Sequence, residues 1–117
     1  MKLFLDDERY PPEEEGWLVA RGIGDFAVLA RANCNSIELI SFDHDLGSGP
    51  NGALKDGFDC AKVLIELMDS GCEFNKLEEI RVHSMNPIGA EQISSFLESA
   101  QRHGVFPNDI VIKGFGR

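Results

Sequence analysis

The stretch ISFDHDLG, residues 40–47, decides how this chain is read. It begins apolar, like a strand buried on both faces, and then sets Asp43, His44 and Asp45 side by side. Two acids around an imidazole are a poor continuation of a buried strand. They suit a strand tip, where polar groups reach solvent or a ligand. The same order recurs elsewhere: KLFL (2–5) runs into Asp6 and Asp7, EEIRVHS (78–84) ends on His83 and Ser84, and DIVIKG (109–114) carries Lys113.

Between these runs the chain alternates with helical patterns, which predicts an α/β fold with a parallel sheet. KLFL, WLVA (17–20), IELISF (37–42), EEIRVHS and DIVIKG are the expected strands. DFAVLARA (25–32) is a helix with Asp25 at its N-terminus and Phe26, Leu29 and Ala30 on one face. FDCAKVLIELMDSG (58–71) is a second, with Phe58, Ala61, Ile65 and Met68 sharing a face and Gly71 ending it. NPIGAEQISSFLESAQRHG (86–104) is a third, with Asn86 as cap, Pro87 in the first turn, Ile93, Phe96, Leu97 and Ala100 buried, and Gly104 as stop. DDERYPPEEEG (6–16) and the glycine-rich GSGPNGALKDG (47–57) read as loops. The second lacks the Lys-Ser/Thr of a phosphate-cradling P-loop.

The 117 residues are expected to form one domain around a single core, and 43% hydrophobic content is too high for disorder. No apolar run approaches the length of a membrane span, and the first residues do not read as an export signal. Cys34, Cys60 and Cys72 form no CxxC pair, so they are read as reduced structural thiols, the expectation for a cytoplasmic protein. The net charge of -9 argues against nonspecific binding along a DNA or RNA backbone. It leaves open a nucleotide or a single nucleic-acid end, and an acidic cluster welcomes a divalent cation. No protein partner can be read from these features.

In open parallel sheets, ligands bind beyond the carboxyl ends of the strands. Every unusual polar residue noted above lies at such an end. Four separate pieces of sequence are therefore expected to converge on one edge.

FLDDE, ISFDHDLG, RVHSMN and VIKGFG together resemble the receiver domain of response regulators, in order and over nearly the whole chain. The resemblance implies a three-layer, flavodoxin-like fold with five parallel strands in the order 2-1-3-4-5. It implies an acidic pair, Asp6 and Asp7, that binds Mg²⁺, and a phosphoacceptor at Asp43. It also puts a hydroxyl at Ser84 and a lysine at Lys113. The departures are specific. The helix between the first two strands is reduced, the last helix is absent, Gly114 replaces a proline, and His44 and His83 are additions. LFLDDERYPP, DHDLG and VHSMNP look like a smaller branch, the cyclic-phosphate-processing receiver-like domains. That likeness implies action on cyclic phosphate ends or nucleotides, in the setting of RNA repair.

The chemistry is consistent with this. Carboxylates repel a phosphate, but Asp6, Asp7, Asp43 and Asp45 can hold Mg²⁺ or Mn²⁺, which inverts the local field. Opening a cyclic phosphodiester needs one group to deprotonate water and another to protonate the leaving ribose oxygen. His44 and His83 titrate in the right range, with Asp43 beside them. The histidines can equally join the carboxylates as transition-metal ligands. Ser84, Asn86, Lys113 and Arg9 are the candidate phosphate contacts, although Arg9 can instead pair with an acidic neighbour. Tyr10 and Trp17 are expected to pack rather than to stack on a base. Two other functions fit part of the pattern: a signalling receiver phosphorylated on Asp43, and a metal- or nucleotide-binding scaffold without turnover.

Overall fold

Each strand is only three or four residues long, so the fold depends on how they are crossed over and covered. The computed structural model describes residues 1–7, 9–11, 16–43, 57–83 and 87–114. In chain order the elements are β1 (Lys2–Leu5), β2 (Trp17–Ala20), α1 (Ile23–Asn33), β3 (Leu39–Phe42), α2 (Gly57–Asp69), β4 (Glu79–Val82), α3 (Pro87–Arg102) and β5 (Val111–Lys113). The strands form one all-parallel sheet in the order β2-β1-β3-β4-β5, the receiver-like arrangement the sequence predicts.

The helices run where the apolar periodicity places them, and both predicted stops are real. Gly71 and Gly104 adopt φ of 103° and 80°, a region that favours glycine. Around each, two hydrogen bonds close the helix: Cys72 N to Leu67 O and Gly71 N to Met68 O after α2, and Val105 N to Ala100 O and Gly104 N to Gln101 O after α3. These are Schellman closures, which satisfy the last carbonyls. The buried stripes are rotated slightly from expectation. In α2, Cys60, Ala61, Leu64 and Leu67 are buried while Phe58, Ile65 and Met68 pack at the margin; in α3, Ala90, Ile93, Ser94 and Leu97 are buried, with Phe96 and Ala100 marginal.

Among the described residues, the three helices form one layer against the sheet. The crossovers β2–α1–β3, β3–α2–β4 and β4–α3–β5 all step in the same direction across the sheet. Right-handed crossovers then put all three helices on one face. Packing agrees, with α1 against α2 and α2 against α3. Leu3, Leu5, Ile40, Phe42 and Ile80 point into this layer and are fully buried. The opposite face is the one that a helix after β1 or after β5 would cover. This second face carries the row Phe4–Ser41–Arg81–Lys113 across four strands. The functional residues lie two positions further along the same face.

Candidate functional site

Extending that register by one pleat brings Asp6, Asp43 and His83 side by side at the carboxyl ends of β1, β3 and β4. The sheet ladder continues one rung past the strands to hold them. Asp6 N donates to Ala20 O at 3.1 Å, Asp43 N to Leu5 O at 2.9 Å, and His83 N to Phe42 O at 2.8 Å. The three side chains therefore project from backbone that is already pinned. Asp6 is fully buried and Asp43 is 4% exposed. One carboxylate oxygen from each acid and one ring nitrogen of His83 lie within 4.8 Å of one another, close enough to share a metal ion.

The imidazole is held on three sides. Nε2 lies 3.0 Å from Asp6 Oδ2, Nδ1 lies 2.7 Å from Ser41 Oγ, and the ring stacks on Phe4 at 4.6 Å between centroids, with 6° between planes. Burial pushes the His83 pKa below its ordinary value; the hydrogen bond to Asp6 and the charges of Asp43 and Asp6 oppose that only in part, and Arg9 adds to it. The ring is thus neutral near pH 7. Because a carboxylate only accepts, Nε2–H donates to Asp6 and the Ser41 hydroxyl donates to Nδ1.

Two arginines frame the acids. Arg9 N donates to Asp6 Oδ1 at 2.9 Å, a local turn that an aspartate readily makes. The Arg9 guanidinium, half exposed, reaches the His83 carbonyl at 3.4 Å and Asp6 Oδ2 at 3.9 Å. Arg21 Nη1 donates to Asp6 O at 3.2 Å and to Arg9 O at 2.6 Å, bracing the segment after β1. Tyr10 does not pack as expected. It is 83% exposed, with the Arg21 guanidinium 5.3 Å from its ring centroid. Trp17 does pack, edge-on to Phe4 at 5.6 Å.

Of the residues singled out in the sequence, Asp6, Asp43, His83 and Arg9 come together. Asp7, partly buried, is not among the three whose ligand atoms can share an ion. Lys113 is directed elsewhere: its ammonium pairs with Glu79 at 3.3 Å, toward the amino end of β4. His44, Asp45, Ser84 and Asn86 lie outside the described residues. Sequence reasoning missed Ser41, Phe4 and Arg21. Ser41 had a signal, being the single polar residue within the apolar run LISF. Arg21 had one too, following a strand end as the other site residues do.

The donor set fits a divalent cation. Two buried carboxylates from neighbouring strands offer oxygens, and the imidazole adds a nitrogen of the kind first-row transition metals accept more readily than Mg²⁺ does. No helix of the described residues is long and apolar enough to cross a membrane. No curated protein and no solved structure matches the chain. The family profile described as "Cyclic-phosphate processing Receiver domain" matches residues 1–99, most of the 117. With that match, and with a receiver sheet whose strand tips gather two aspartates and an added histidine, the chain belongs to the cyclic-phosphate processing receiver domain family.

Proposed function

We propose that this domain is a phosphoesterase that opens a cyclic phosphate on a nucleotide or an RNA end, using a divalent cation held by Asp6, Asp43 and His83. The observation that carries this reading is the position of His83. Its Nε2 sits 3.0 Å from Asp6 and a ring nitrogen lies within 4.8 Å of an Asp43 oxygen, at a place where an aspartate-based phosphoacceptor has no use for an imidazole.

The cation, when bound, offsets the two carboxylates so that a phosphate can approach, and it polarises a phosphoryl oxygen. The chain's own residues do the rest. Arg9, with its guanidinium half exposed beside Asp6, holds a non-bridging phosphate oxygen. Water attacks phosphorus and gives up a proton to solvent, the bond from phosphorus to one ribose oxygen breaks, and that oxygen takes up a proton. His44 is assigned as the group that supplies it, with Asp45 orienting His44 and with Ser84 and Asn86 donating to the phosphate. Metal identity favours Mn²⁺ or a similar ion over Mg²⁺ because one of three donors is nitrogen.

The test is turnover of 2′,3′-cyclic nucleotides with chelator, Mg²⁺ or Mn²⁺, repeated with His83→Ala and His44→Ala. Metal-dependent opening that both variants lose is the expected result. Activity unchanged in both would remove the assignment. The signalling reading, with Asp43 as phosphoacceptor, gains support instead if acetyl phosphate and Mg²⁺ add one phosphoryl group by intact mass and cyclic nucleotides stay closed.

A further inference from the structure

We propose that Ser41 is a positioning residue whose hydroxyl keeps Nε2 of His83 turned toward the carboxylates in two states, as a donor to Asp6 and as a nitrogen ligand to a divalent transition-metal ion. This rests on the metal-assisted reading above and identifies what makes its third ligand available.

Ser41 lies within β3, 4% exposed, one pleat behind Asp43. A buried hydroxyl that has given up water needs a partner, and its partner is Nδ1 of His83 at 2.7 Å. Ser41, His83 and Asp6 form a line that looks like a serine nucleophile, base and acid. The geometry points the other way. The hydroxyl sits beneath the strand tips, where a phosphorus atom has no path to it, and His83, 21% exposed, is the least buried member of the line. Ser41 also makes room. It is in register with Phe4 on one side and Arg81 on the other, and its small side chain lets the His83 ring lean across β3 to stack on Phe4. Phe4 then fixes the plane of the ring, and Ser41 fixes its rotation within that plane.

A hydroxyl is suited to this role because it both donates and accepts. A neutral imidazole has one N–H and one lone pair. When Nε2–H donates to Asp6, Nδ1 presents the lone pair and the Ser41 O–H donates to it. When Nε2 gives its lone pair to a metal, one proton has left Nε2 and one has been taken up at Nδ1. Nδ1–H then donates to the Ser41 oxygen, and the imidazole is neutral throughout. A backbone carbonyl could serve only the second state and a backbone N–H only the first. Such outer hydrogen bonds set the tautomer and orientation of metal-binding histidines.

The experiment is long-range ¹H–¹⁵N NMR of the His83 ring in the full chain, with chelator and then with Zn²⁺, alongside calorimetric binding of Zn²⁺ and Mg²⁺ to wild type and Ser41→Ala. The expected result is an Nε2–H tautomer without metal that becomes Nδ1–H with Zn²⁺. Zn²⁺ affinity is expected to fall roughly ten- to hundred-fold in Ser41→Ala, with Mg²⁺ affinity little changed. Equal weakening of both ions, or none, overturns the proposal, as does a wild-type tautomer that Zn²⁺ leaves in place. The NMR arm decides the matter even if Ser41→Ala does not fold. No readout uses turnover, so a domain that binds Zn²⁺ in this way and opens no cyclic phosphate refutes the phosphoesterase reading alone.

Discussion

Two charged clusters occupy the same face of the same sheet and differ in how their charge is kept. Glu79, Arg81 and Lys113 lie along β4 and β5. Glu79 is hydrogen-bonded to the Arg81 guanidinium and paired with the Lys113 ammonium, and both cations are substantially exposed. Burial alone raises the Glu79 pKa, but Arg81 and Lys113 outweigh it and hold the carboxyl below its ordinary value. Asp6, Asp43 and His83 invert every term. The acids are buried, and the imidazole beside them is driven neutral. A wet cluster whose carboxylate is met by cations is what a sheet face tolerates at little cost. A dry pair of carboxylates beside an imidazole is a donor set that can hold a cation, and perturbed groups gathered in one place are a mark of function.

That contrast can be broken at several points. The largest effect is expected from His83→Ala, where removing a cation ligand should lower turnover of a cyclic nucleotide by more than the roughly 10–100-fold that loss of an outer-shell partner costs. Comparable turnover in wild type and variant would make the dry cluster no more functional than the wet one.

Next comes pH. In the chelated protein the His83 pKa is lowered from an ordinary 6.5, so the neutral ring stabilises the fold fully above that value. This contribution is lost as pH falls below 6.5 and the unfolded chain takes up the proton first. Glu79, lowered from 4.5, contributes above 4.5 and loses its part only below it. Urea melts from pH 8 to 4 are therefore expected to lose stability in two windows. His83→Gln should flatten the upper window and Glu79→Gln the lower. A single window unaffected by His83→Gln would contradict the neutral, buried imidazole.

The smallest effect is expected from Lys113→Ala. An exposed ion pair of this kind contributes about 0–1 kcal/mol, so the melt should barely move. Turnover should be unchanged, because the ammonium is engaged at Glu79 rather than at the strand tips. A large loss of turnover would show that Lys113 leaves Glu79 to meet the substrate, as the receiver resemblance implies.

Much of this was legible in the chain itself. Apolar runs ending in Asp6, Asp43 and His83 marked strand tips, and parallel strands bring such tips to one edge. The glycine stops at 71 and 104 were legible because only a backbone of that freedom closes a helix so tightly. Ser41 stood out as the polar residue of LISF, but its role and that of Phe4 were not legible, since they depend on cross-strand neighbours: Ser41 meets a residue 42 positions away along the chain. Tyr10 was misjudged for a related reason, because aromatic character says nothing about which side of a loop faces solvent.

Composition, periodicity and the polar residues at strand ends determined the fold class, the five strands and the edge at which they meet. They did so because period and burial are properties of short segments. The tertiary structure alone decided that the helices line one face, that His83 turns toward Asp6 while Lys113 turns away, and that Ser41 sits between His83 and Phe4. Those outcomes depend on the register and handedness with which distant segments pair, and no local stretch of sequence encodes the partner it will find across the sheet.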